Sequence, residues 1–249
     1  MNPAEFTSLA QTEEKLWWFR GMRRILFSLL DPLAKSHKLE KVLEAGSGTG
    51  HMSRIMQSRY GWNMVPTDLA WEGVSRTPIT RRISPVQADI AACPYADNAF
   101  DAVVSLDVLV HFPQGEEIRA LSEFARVLRP GGLLVLRVSA MNILRSRHSI
   151  FTHERQRFSR PRLIEAVRRT GLESLRCTYA NSLLMPVALT RFRIWEPLIR
   201  AKPASGTAPV PGWLDNLLYL PLAAEKLWIE RGLNFPAGQS LLLIASKPA

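Results

Sequence analysis

Along the chain, short apolar runs alternate with longer stretches in which apolar residues recur every three or four positions. The short runs, 42–45, 63–68, 86–90, 100–109, 133–138, 173–179 and 240–246, have the length of strands. Stretches 12–30, 123–129, 159–172, 183–195 and 213–229 have helical spacing. Thr12, followed by Glu13 and Glu14, is placed to cap the first of these helices; Ser159 caps the third and Gly171 ends it. Strands separated by helices predict an α/β fold, a mostly parallel sheet with helices on both faces. Parallel strands end along one edge, so the acids that close these runs, Glu44, Asp68, Asp89 and Asp107, should gather there.

The first strand runs into Gly46, Ser47, Gly48, Thr49 and Gly50. Glycine permits the tight strand-to-helix turn and leaves room for a ligand against the main chain. The spacing departs from a dinucleotide fingerprint, because the third glycine comes one residue early and His51 fills its place. No Gly-Lys-Ser/Thr follows, as an ATP-binding loop requires. An adenosine-bearing ligand without phosphates fits what remains. Glu44-x-Gly46-x-Gly48-x-Gly50, followed by a strand ending in Asp68, a third ending in Asp89, the 94–109 loop and strand, and Pro130-Gly131-Gly132 before a fifth strand, resembles the class I S-adenosylmethionine-dependent methyltransferases.

That resemblance implies a Rossmann-like seven-stranded sheet with an antiparallel last strand, and S-adenosylmethionine as cofactor, leaving as S-adenosylhomocysteine. It also implies the cofactor residues. Glu44, glutamate where the family often has aspartate, would reach the methionine amino group, with Gly46, Ser47, Gly48 and Gly50 forming the loop. Asp68 would grip the ribose diol and Asp89 the adenine amino group. Leu69 and Ile90 would flank the ring, with Leu106, Asp107 and Trp18 nearby. Trp17, Trp18 and Phe19 resemble a tryptophan-rich N-terminal helix that closes over the site in a bacterial subset of the family.

The expected organisation is one domain: a helical lid (1–36), the cofactor core (37–140), a substrate loop (141–160), a helical cap inserted before the last strand (180–238), and that strand (239–249). The insertion is rich in leucine and tryptophan, and a segment this long inside a compact domain is more often functional than idle. Its apolar faces would cover substrate, pack on the sheet or a second subunit, or lie on an anionic bilayer. Residues 201–212, rich in Pro, Ala and Gly, read as a loop.

Charge adds a partner preference without naming the partner. Thirty-two basic residues against 22 acidic give +10, a surplus that attracts phosphates on nucleic acid, lipid or a small substrate. Cys93 and Cys177 have no zinc or redox spacing and suggest a reducing compartment. No metal is expected. Met1–Glu5 lacks a signal-like pattern, and no run is long enough to span a bilayer, so the expectation is a cytoplasmic protein with at most peripheral membrane contact.

His111, at the mouth of the fourth strand, and His153, in the substrate loop, are the candidate catalytic groups. Arg157, Tyr179 and Asn181 are the candidate substrate contacts. The Asp/Asn-Pro-Pro-Tyr/Phe signature of amide and base-amino methylation is replaced by Asp107-Val108-Leu109-Val110, and Cys93-Pro94 reverses the order found in cytosine C5 enzymes. A small-molecule or lipid-linked acceptor, methylated on oxygen, is the leading expectation. RNA or protein methylation and a non-catalytic cofactor-binding scaffold are the alternatives.

Overall fold

The computed structural model describes residues 3–200 and 202–249, without the side chains of 3–5. Met1, Asn2 and Ala201 lie outside the described residues, and with them part of the 1–5 and 201–212 readings. The strands are β1 Lys41–Ala45, β2 Asn63–Asp68, β3 Val86–Gln87, β4 Phe100–Leu106, β5 Leu128–Ser139, β6 Glu173–Ala180 and β7 Ser240–Ser246. They form one sheet in the order β3-β2-β1-β4-β5-β7-β6. All neighbours are parallel except β7, which runs against both β5 and β6. The helices are α1 Pro3–Thr12, α2 Trp17–Ser36, α3 His51–Tyr60, α4 Trp71–Val74, α5 Glu117–Val127, α6 Arg147–Phe151, α7 Arg160–Arg168, α8 Met185–Thr190, α9 Glu196–Leu198 and α10 Gly212–Glu230.

The apolar strand runs follow from a sheet buried on both faces. Successive side chains point to opposite sides, so Leu43, Val103, Leu134 and Leu243 enter one core with α5 and α7. Val42, Val104, Val135 and Leu242 enter the other, with α2, α3 and α10. Gly21 lets α2 and α10 approach closely: a Cβ there would lie 2.3 Å from Leu222 Cδ1.

Two expectations are corrected. The N-terminal helix does not run unbroken from Thr12. Thr12 closes α1, donating its hydroxyl to Ser8 O at 2.8 Å, and α2 starts afresh at Trp17, whose N–H donates to Asp215 Oδ1 on α10 at 2.8 Å. The cap is supplied by tertiary structure rather than by a neighbouring residue. Within the insertion, α10 puts Leu222 and Ile229 into the α2 core. The expected 183–195 helix is α8 followed by a π turn, Arg191–Trp195, that leads into α9. No helix among the described residues is long and apolar enough to cross a membrane.

Candidate active site

Neighbouring strands on opposite sides of β1, β2 and β4, send their connections to opposite faces, and the crevice beyond the carboxyl ends is where open α/β sheets take ligands. The glycine loop is anchored there, with the N–H groups of Gly46 and Ser47 donating to Thr67 O at 2.7 and 3.0 Å. Gly46, Gly48 and Gly50 all have positive φ. A Cβ on Gly46 would strike Val108 and one on Gly50 would strike Thr77, but a Cβ on Gly48 would have nothing within 4 Å. The protein itself requires two of the glycines; the third borders open space.

Glu44, beneath this loop, is fully buried and accepts a hydrogen bond from the Ser53 hydroxyl. Burial pushes its carboxyl up to about 8, with the charges of Asp68 and Glu13 adding to the effect. Among the described residues no cation pairs with it. A ligand ammonium would supply the missing charge. Asp68 accepts from Gly48 N–H at 2.8 Å through Oδ2 and from Ala70 N–H at 2.9 Å through Oδ1, so its carboxylate is held at the loop. The next residue, Leu69, is 68% exposed. Ser47 Oγ is buried without a hydrogen-bond partner. The buried acid, the orphaned hydroxyl and the space over Gly48 all fit the amino acid and nucleoside parts of S-adenosylmethionine.

The other expected positions divide. Asp89 is exposed, with Oδ1 accepting from Ala91 N–H at 2.8 Å, and Ile90 is packed into the core beneath it. Half-buried Leu106 ends β4, and Asp107, at φ 60°, is gripped by Arg137 at 2.6 Å. Trp18 lies on that guanidinium, 5.1 Å from carbon to ring centroid. Asp107 is thereby ion-paired, and the aromatic end of α2 is fixed to β5.

His111 directs Nδ1 toward the His153 carbonyl at 3.4 Å, and burial lowers its pKa, which favours the neutral ring. His153 itself has an exposed side chain and a left-handed backbone, φ 59°, and meets His111 through its carbonyl. Arg157, expected as a substrate contact, faces the protein. It is buried against Glu154 at 2.6 Å and donates to Ala140 O and Ser149 Oγ, which leaves its guanidinium committed within the protein. Tyr179 is likewise packed in the core, its hydroxyl accepting from Arg160 N–H at 3.2 Å. Asn181, at φ 53° just past β6, is buried with Oδ1 unpartnered.

Sequence reasoning missed three groups. Glu13, in the break between α1 and α2, accepts from the Thr49 hydroxyl at 2.6 Å and lies 4.0 Å from His51 Nδ1. Burial, with Arg23 and Arg54 nearby, lowers His51 to about 4. The N-terminal segment thus touches the glycine loop through Glu13. His148 Nδ1 accepts Gly206 N–H at 2.8 Å, tying α6 to the 202–211 loop. Buried Glu225 accepts from the N–H groups of Ser182 and Leu183, both at 2.7 Å. Each pairing joins distant segments, and no local spacing announces it.

A sequence model described as a methyltransferase domain matches residues 43–136, the segment from β1 to β5. Methyltransferase GfsG of Streptomyces halstedii is 28% identical over 142 residues, 54% of this chain and 47% of that protein. The 2-methyl-6-phytyl-1,4-hydroquinone methyltransferase of Synechocystis is 32% identical over 99 residues, 38% of this chain and 30% of that protein. The chain thus spans half or less of the length of these relatives. Among solved structures, a putative sarcosine dimethylglycine methyltransferase from Galdieria sulphuraria shares the fold over 91% of this chain and 86% of its own, with a TM-score of 0.61 at 16% identity. The match over residues 43–136, the strand order and these relatives support a class I S-adenosylmethionine-dependent methyltransferase.

Proposed function

We propose that this protein binds S-adenosylmethionine over Gly48 and transfers its methyl group to a hydroxyl of a small-molecule or lipid-linked acceptor. The observation that carries the reading is Glu44, a buried acid with no paired cation among the described residues, beneath a loop in which Gly48 is the glycine that borders open space. Bound there, the cofactor supplies a methyl on a sulfonium, which an acceptor takes by in-line displacement. The chain's part is mainly alignment and exclusion of water. Glu44 would hold the ammonium and Asp68 the ribose hydroxyls, while the Glu13–Thr49 contact keeps the N-terminal segment on the loop.

A hydroxyl acceptor must lose its proton as the new C–O bond forms. With Nδ1–H donated to the His153 carbonyl, His111 keeps the Nε2 lone pair free to take that proton. The apolar surface of the insertion and the phytyl-bearing acceptor in the name of the Synechocystis relative support a lipophilic acceptor.

Calorimetric titration tests the cofactor. Saturable binding of S-adenosylmethionine and S-adenosylhomocysteine, without NAD binding, is expected; no binding of either adenosyl ligand would overturn the reading. Asp68→Ala should weaken binding by roughly 1–3 kcal/mol through loss of the diol acceptor. An unchanged dissociation constant in a folded variant would remove that assignment. His111→Ala should retain cofactor affinity and lose about 100-fold or more in turnover once an acceptor is in hand. Unchanged turnover would exclude the histidine as base.

A further inference from the structure

Helix α10 is amphipathic in the wrong sense for a surface helix. Trp213, Leu217, Leu220, Ala224, Leu227 and Trp228 recur at helical spacing and are all exposed. They form an outward stripe about 22 Å long at 1.5 Å per residue. Asp215 and Glu225, by contrast, face inward, on Trp17 and Arg20 and on the turn after β6. The π turn and α9 repeat the theme with exposed Ile194, Trp195, Leu198 and Ile199.

The charges of the insertion are sorted the same way. Glu196 and Asp215 have side chains 11% and 16% exposed, and Glu225 is buried. Glu230 is the outward acid, and it is paired with Lys226. Arg191, Arg193, Arg200 and Arg231 are exposed. The outer surface is therefore apolar and cationic, with the acids turned in.

We propose that this face docks the protein on an anionic lipid bilayer, the tryptophans and leucines entering the interfacial zone while the arginines meet lipid phosphates. Amphipathic surfaces with basic margins bind at that depth, and the charge attraction adds to apolar burial. A second copy of the chain is the poorer occupant. An isologous dimer would lay the same cations against themselves, on a chain already at +10. The docking reading does not depend on the cofactor or the acceptor.

The test is co-sedimentation of the full chain with vesicles of phosphatidylcholine alone or mixed with phosphatidylglycerol. Binding to the mixed vesicles, weak binding to phosphatidylcholine, and release as salt rises from about 50 to about 500 mM are expected. Leu217→Glu with Leu220→Glu should lower the anionic-vesicle partition by roughly tenfold or more at unchanged thermal unfolding. Trp213→Ser, at the exposed start of α10, is the second variant should the first not fold, and a smaller loss of partition is expected from it. Three results would overturn the proposal: no sedimentation with either vesicle, full anionic binding by the folded variants, or a wild-type dimer that these substitutions convert to monomer without any vesicle binding. The last would assign the stripe to self-association.

Discussion

Glu44→Gln is expected to weaken S-adenosylmethionine binding and, at the same time, to stabilise the free protein at alkaline pH. The two effects have one cause. In the free protein the Glu44 carboxyl is pushed up to about 8 by burial, so at neutral pH it is mostly protonated. A folded-state pKa above the ordinary 4.5 means that the folded protein holds a proton the unfolded chain has released. Stability conferred by this group therefore falls as pH rises between the two values, by about 1.4 kcal/mol per pH unit. Glutamine is neutral throughout and should flatten that fall. Binding an ammonium beside Glu44 reverses the preference, because the carboxylate is now the favoured form and the proton must leave. Wild-type affinity should rise with pH up to about 8 and then level, with close to one proton released per ligand bound at neutral pH. The variant should lose the pH dependence and roughly 2–3 kcal/mol of binding, the range for a buried charge-assisted hydrogen bond. Titrations in buffers of different ionisation enthalpy measure the proton directly. Release by the variant equal to wild type would assign the proton, and the ammonium, to another group.

The ordered part of this picture was legible because it is local. Seven apolar runs gave seven strands, since a sheet covered on both faces needs uninterrupted apolar sequence. Acids at strand ends and glycines at positive φ follow equally from the backbone around them. What the sequence hid depends on partners far along the chain. Nothing in residues 12–17 shows that Asp215 will cap Trp17, so the helix break was invisible. Nothing local in the run from His153 to Arg157 shows that Glu154 and Arg157 are folded inward onto one another. In α10 the same principle inverts the pattern: Asp215 and Glu225 find buried donors, and the leucines on the other side are left outside. Helical periodicity reports that a face exists, but tertiary hydrogen bonds decide which face turns inward.

The glycine loop carries the second large effect, because its three glycines are present for different reasons. Gly46→Ala should be a stability lesion: φ is +81° and the new Cβ would lie 2.1 Å from Val108 Cγ2. Adding Val108→Ala would remove the methyl clash and leave chiefly the backbone cost, on the order of 1–2 kcal/mol. Gly48→Ala meets no atom within 4 Å, so the folded protein should lose only a similar backbone cost, from φ +55°. Its effect should fall on the ligand. The added methyl would stand in the space above the loop where the cofactor is proposed to lie, and a loss of roughly 100-fold or more in S-adenosylmethionine affinity is expected from even a partial overlap in a close-packed site. Thermal unfolding and calorimetric titration of the two variants should therefore separate: Gly46→Ala reads out mainly in melting temperature, Gly48→Ala mainly in the dissociation constant. If Gly48→Ala bound the cofactor as wild type does while remaining folded, the ligand would not cross that glycine. The open space there would then need another occupant.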